Sequence, residues 1–216
     1  MASDRTELRQ RFRDVVTTEE ELRAVLGLPK QRTVDKVVTS LDETSRRFIA
    51  RSPFLLISSV MEGGLVDVSP KGDPAGFVRV LDDTTLAIPD RLGNRRGDTM
   101  VNILRNPNVG LIFLIPGVTH TLRVSGKASI VRDTELRETL AFDGNLPDHA
   151  IVVAVEHILA HCPKCMTRSG LWRPDTWGDP AKVPTLAETL VAHAKLAIPV
   201  DEMQEIIDED GRTRLY

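Results

Sequence analysis

The chain has 216 residues, 41% apolar and 27% charged, with a formal net charge of −3, the composition of a globular protein with roughly one domain's worth of core. That balance excludes an overall basic field drawing the chain to nucleic acid or an anionic membrane, and the apolar runs are too short to span a bilayer. The charged opening from Met1 to Phe12 lacks the apolar centre of a secretory leader, and two cysteines without a leader are expected of a cytoplasmic chain.

Residues 3–26 read as helical. Leu8, Phe12 and Val15 or Val16 share a face, and Thr18-x-x-Glu21 spells a capping box before Leu22, Val25 and Leu26. The spacing of Val34, Val37, Val38, Leu41, Phe48 and Ile49 predicts a second helix from about Val34 to Ala50. Strand-like runs follow. Phe54 to Val60 turns at Met61-Glu62-Gly63-Gly64 into Leu65 to Ser69, and Pro70 to Gly76 is a loop. Phe77 to Leu81 and Thr85 to Pro89 read as a hairpin. Met100, Ile103 and Leu104 mark the buried face of a short helix stopped by Asn106-Pro107. Val109 to Ile115 and Thr119 to Val131 pair about Pro116-Gly117. Asp133 or Thr134 caps a helix to about Phe142, and Ala150 to His161 is a long strand. Pro163 to Trp177 crosses the surface. Thr185-x-x-Glu188 caps a further helix, and Asp201 opens the last. Short strands joined by tight turns, with few helices between them, predict a mainly β chain with flanking helices built on an antiparallel barrel. The expected organisation is a helical extension over 1–52, the barrel over 53–172 and a C-terminal helical extension over 173–216.

The chemistry concentrates in Pro89 to Pro107. Gly93-Asn94-Arg95-Arg96 sets two guanidinium groups side by side at a strand-loop-helix turn. Their planar forks suit a phosphate, as do the unpaired amides of the following first turn; a solvated arginine pair is the plainer alternative. GxSxG, Walker and GxGxxG patterns are absent. Ser69 and Lys71 enter a Gly/Pro loop, where the lysine either meets a ligand or stands in water. His157-x3-His161 followed by Cys162-x2-Cys165 contains zinc-ligand residue types, but without the loop that separates ligand pairs in a finger. A redox reading of Cys162-Pro163-Lys164-Cys165 requires a helix to begin directly after a strand.

Gly93-Asn94-Arg95-Arg96, the helix ending in Asn106-Pro107 and the strand Val109-Gly110-Leu111-Ile112-Phe113 resemble the flavin-phosphate segment of the pyridoxamine 5'-phosphate oxidase superfamily. The order of segments is similar from Phe54 to Val131, and more weakly to Trp172. Ser69-Pro70-Lys71-Gly72-Asp73 and Ile88-Pro89-Asp90 match SPxGD and IPDRxGNRR motifs of one bacterial branch. The resemblance implies an FMN-binding split barrel, homodimeric, with FMN between subunits. It implies that Arg95 and Arg96, with Asn94, hold the phosphate. Val68, Ser69, Lys71, Ile88, Pro89, Asp90 and Thr121 would line the flavin, and Lys164, Arg168 and Trp172 would reach it from the partner subunit. The implied activity is flavin-dependent oxidation or reduction of a small molecule, with NAD(P)H as a candidate donor; a non-catalytic FMN carrier or sensor is the alternative. A related deazaflavin stays open as the cofactor. Pyridoxamine phosphate oxidation is not expected, because that enzyme's Arg-Leu-His-Asp motif does not occur in the chain.

Overall fold

A computed structural model describes residues 11–216. The chain forms two compact units, 1–37 and 38–216. In the first, α1 (Glu19–Leu26) begins at the predicted capping box: the Thr18 hydroxyl accepts the Glu21 N–H at 3.2 Å and the Glu21 carboxylate accepts the Thr18 N–H at 3.3 Å. Within the described residues the predicted helix over 3–26 is interrupted between Phe12 and Thr18. Leu8 lies outside the described residues, and Phe12, Val15 and Val16 precede α1 on exposed backbone. A single turn, α2 (Gln31–Val34), completes the unit.

In the second unit the predicted helix from Val34 to Ala50 is corrected. Val38 instead exchanges backbone hydrogen bonds with Ile158, at 3.0 and 2.8 Å. Helix α3 (Glu43–Ile49) starts only after Asp42, whose carboxylate accepts the Ser45 N–H at 2.8 Å. Adjacent β-branched Val37 and Val38 favour extended backbone, and the aspartate cap outweighs apolar periodicity in setting the helix start.

The strands are β1 (Phe54–Val60), β2 (Val66–Gly72), β3 (Arg79–Val80), β4 (Thr85–Pro89), β5 (Asn108–Leu114), β6 (Thr121–Val131) and β7 (Ala150–His161). They form one antiparallel sheet in the order β2-β1-β5-β6-β7-β4-β3. The sheet does not close on itself: β2 and β3 are its free edges, the split expected of the fold. β2 runs on to Gly72, into the stretch predicted as loop, because Pro70 to Gly72 keep register with Leu56 to Phe54. Of the predicted strand Phe77 to Leu81 only β3 pairs, while Phe77 and Val78 turn into the core.

Alternation along the strands builds that core. Leu55 and Ile57 of β1, Leu111 and Phe113 of β5, Val124 of β6, Val153 and Ile158 of β7 and Leu86 and Ile88 of β4 are all buried in one cluster. Helix α4 (Asp98–Arg105) joins through Ile103, and its Asn102 amide donates to the buried Ser59 hydroxyl of β1 at 3.0 Å. At Ser125/Gly126 the β6–β7 register shifts in a bulge; a Cβ on Gly126 would collide with the Ala154 carbonyl. Helix α5 (Thr134–Thr139) is capped by Asp133, α6 (Lys164–Ser169) follows β7, and α7 (Leu186–Ala194) and α8 (Val200–Thr213) come last. Thr185 and Glu188 form the predicted capping box of α7. Among the described residues no helix is long and apolar enough to cross a membrane.

Candidate functional site

β4 ends at Pro89, where its register partner on β7 is Ala150, itself opposite Val131 of β6. The chain leaving β4 therefore emerges at one end of the sheet and loops over to α4. The Asn94 side-chain oxygen accepts the Arg96 N–H at 3.0 Å, Arg95 adopts a left-handed φ of 61° and Gly97 one of 64°. This local turn, rather than a longer loop, displays the arginine pair. Gly97 caps α4 without a side-chain hydrogen bond, so the first-turn amides keep their donors for an anion. Burial of Ile103 and the Asn102–Ser59 bond fix the helix against the sheet.

A cavity of about 590 Å³ opens beside this turn, within the usual range for small-molecule sites. Edge strand β2 supplies one wall through Val68, Ser69 and Lys71, and Asp90 to Met100 supplies the next. The loop Asn145 to His149 and Tyr216 complete it. The structure thus brings Val68, Ser69, Lys71, Asp90, Asn94, Arg95 and Arg96 together. Ile88 and Pro89 are buried at the end of β4, leading the chain to the cavity without lining it. Thr121 lies at the opposite end of the 11-residue β6 from Val131, about 33 Å along the strand. Lys164 and Arg168 are on α6, which follows the β7 end paired with Thr121. Trp172 donates its indole N–H to the Val118 carbonyl at 2.9 Å, in the turn before β6. These four predicted residues form a second group away from the cavity of their own chain.

The charges within the cavity are unequal. Arg96 Nε donates to Asp98 Oδ2 at 2.7 Å, and that bond raises the Arg96 pKa. Arg95 enters no ion pair among the described residues and is exposed. The Asp90 carboxyl is pushed above the usual aspartate range by its burial, only partly offset by Lys71 and His149.

Sequence reasoning missed a clasp at the edge of the cavity. Arg91 Nε donates to Asp73 Oδ2 at 2.6 Å, the Tyr216 hydroxyl donates to Asp73 Oδ1 at 2.7 Å, and an Arg91 N–H reaches the Leu140 carbonyl at 3.0 Å. The Asp73 side chain is 1% exposed. Phe142 packs on the Tyr216 ring, with centroids 5.2 Å apart. The only sequence signals were the charges just beyond two strand ends; Tyr216 is 143 positions from its partner. The sequence also passed over His149, which immediately precedes β7 and whose carbonyl accepts the Asp90 N–H at 3.0 Å.

Several solved structures are partly similar. HupZ of Group A Streptococcus is 20% identical, with 55% of this chain and 92% of that one covered and a TM-score of 0.46. General Stress Protein 26 of Bacillus anthracis is 17% identical, covering 54% and 90%, with a TM-score of 0.44. An FMN-binding protein of Syntrophomonas wolfei is 15% identical, covering 55% and 84%, with a TM-score of 0.43. No curated protein matches the chain. The profile of the pyridoxamine 5'-phosphate oxidase family matches residues 41–162, a span that holds the whole sheet, the arginine turn and α4. The chain belongs to the pyridoxamine 5'-phosphate oxidase family.

Proposed function

We propose that the protein is an FMN-dependent oxidoreductase of a small molecule, working as a homodimer with FMN bound between subunits. The observation that carries this reading is the arginine turn: Arg95 and Arg96 stand at the uncapped start of α4, in the same cavity as Ser69 and Lys71. Guanidinium forks and free first-turn amides suit a phosphate monoester. Lys71 and the Ser69 hydroxyl, on the neighbouring edge strand, suit the polar rim of a flavin.

Magnitudes support a ligand held at both ends. Two arginine–phosphate contacts contribute roughly 3–6 kcal/mol at about 1.5–3 for each charge-assisted bond. Micromolar binding needs about 8 kcal/mol net, after association costs of several more. Burying a ring system of ~250 Å² adds about 6 kcal/mol. The cavity lies at the open side of a split sheet, so a second subunit is the natural cover for the ring. The group formed by Thr121, Lys164, Arg168 and Trp172 sits too far along β6 to serve the same cavity, which favours its use by the partner's flavin.

When bound, FMN supplies hydride transfer at its N5 atom. The chain's own residues do the rest. Arg95 and Arg96 anchor the phosphate, Lys71 favours negative charge on the neighbouring ring edge, and Asp90 is placed to hold or release a proton in the cavity wall. NAD(P)H is the first donor to try, and the reading places the protein in the cytoplasm.

Titration with FMN, followed by visible spectrum and fluorescence anisotropy, tests the reading. Micromolar binding is expected, with riboflavin, which lacks the phosphate, at least tenfold weaker. An unchanged FMN spectrum and anisotropy at micromolar protein would overturn it. Bound FMN that no donor reduces would instead leave a carrier or sensor.

A further inference from the structure

In the motif Cys162-Pro163-Lys164-Cys165 the proposed function uses Lys164 and leaves the two cysteines unassigned, and the structure meets the condition the sequence sets for a redox pair. β7 ends at His161, Cys162 follows, Pro163 adopts αR angles of −75° and −7° and α6 begins at Lys164. The first helical hydrogen bond, from Thr167 N–H to the Pro163 carbonyl, measures 2.9 Å. With Pro163 and Lys164 both in αR backbone, a single turn separates position 162 from position 165. Side chains three apart on a helical turn stand about 5–6 Å apart between Cβ atoms, and modest rotation of the turn brings that to the disulfide range of about 3.5–4.5 Å. Both thiols are free and both residues are exposed.

Among the described residues no group of three or more His, Cys, Asp or Glu side chains is placed to hold a metal ion. Core packing does not account for the motif, since both cysteines face solvent. The segment is nevertheless anchored on either side. His161 pairs with Thr121 in the sheet, and the Trp172 indole holds the Val118 carbonyl.

We infer that Cys162 and Cys165 form a reversible dithiol–disulfide pair that exchanges with low-molecular-weight disulfides. One thiol, as thiolate, attacks the disulfide of oxidised glutathione, forming a mixed disulfide and releasing one glutathione thiolate. The second cysteine then attacks the protein sulfur of that bond, closing the Cys162–Cys165 bridge and releasing the second glutathione. Two electrons pass from the protein pair to glutathione, and the two protons given up by the cysteines end on the two glutathione thiols. Closure fixes the β7–α6 corner that presents Lys164.

The test uses the full chain, equilibrated in glutathione buffers of graded ratio, quenched with acid, alkylated and weighed by mass spectrometry. The expected result is a single transition between a doubly alkylated species and one lacking two hydrogens and taking no alkyl group. Cys162→Ser is expected to stop at one glutathione adduct on Cys165. Pro163→Gly, which loosens the turn, is expected to move the transition several-fold toward more oxidised buffer. Two glutathione adducts on the wild-type chain, a disulfide between chains, or two free thiols throughout would each overturn the inference. So would stoichiometric zinc that blocks alkylation until chelated.

Discussion

Asp73 and Arg91 stand 2.6 Å apart, oxygen to nitrogen, the first just past the end of β2 and the second just past the end of β4. The two strands share no hydrogen bonds and sit far apart in sheet order. The ion pair therefore does across the split what backbone pairing does elsewhere in the sheet. Both side chains are mostly buried, Arg91 at 16% and Asp73 at 1% exposed, so removing one partner strands the other's charge. Asp73→Ala is expected to cost about 3 kcal/mol, read as a lower urea midpoint. Tyr216→Phe, which keeps the ring and the pair, is expected to cost about 1.5 kcal/mol. Equal stability of all three proteins would show that the clasp contributes nothing.

The Arg96–Asp98 bond competes with any anion for the same guanidinium. Asp98→Asn is expected to tighten FMN binding several-fold by freeing Arg96, at a small loss of helix stability from the missing first-turn charge. Isothermal titration with FMN checks it, and weaker binding would mean that Asp98 orients Arg96 toward the ligand.

Replacing Arg95 and Arg96 together by alanine is expected to weaken FMN binding at least tenfold while leaving riboflavin affinity unchanged. If both ligands weaken equally, the arginines hold the ring and not the phosphate.

The two separated groups of site residues give a mixing experiment. One variant carries Arg95→Ala with Arg96→Ala, the other Lys164→Ala, Arg168→Ala and Trp172→Ala. Each alone is expected to bind FMN poorly. If sites are shared across a twofold axis, random exchange of subunits restores about a quarter of them. No recovery on mixing, with exchange verified, would place each site within one chain.

Burial raises the Asp90 pKa. The folded chain then holds a proton that the unfolded chain has already released in the pH window between ordinary aspartate and the raised value, so stability falls as pH rises through that window. Asp90→Asn removes the penalty. It is expected to raise the melting temperature at pH 7 and to have less effect at pH 4, as thermal melts at both values would show.

The strands are legible because alternation and turn residues agree there: the pattern from Ala150 to His161 has the ends of β7, and the hairpin about Pro116-Gly117 forms as expected. The Thr18 and Thr185 capping boxes were legible for a similar reason, a side chain meeting a backbone group three residues on. Over Val34 to Ala50 apolar spacing misleads, since periodicity does not show which apolar residues are buried: Val34, Val37 and Val38 are exposed, and the helix starts only after Asp42. In the candidate site, the arginine turn is local in sequence and could be read. The clasp is not local. Asp73, Arg91 and Tyr216 meet only because an open sheet brings distant strand ends and Tyr216 to one place, and no short pattern encodes that.

Gly126, where the bulge lets β6 pass against the Ala154 carbonyl, has a consequence for anyone reading tolerance maps of this chain. A saturation library would score the position as nearly inviolable, since even alanine forces two backbones apart. It would rank beside or above the arginine turn, although it belongs to the β6–β7 pairing and not to the cavity lining. Intolerance at that position measures the room between strands, and only a binding assay on the soluble variants would separate it from intolerance that measures chemistry.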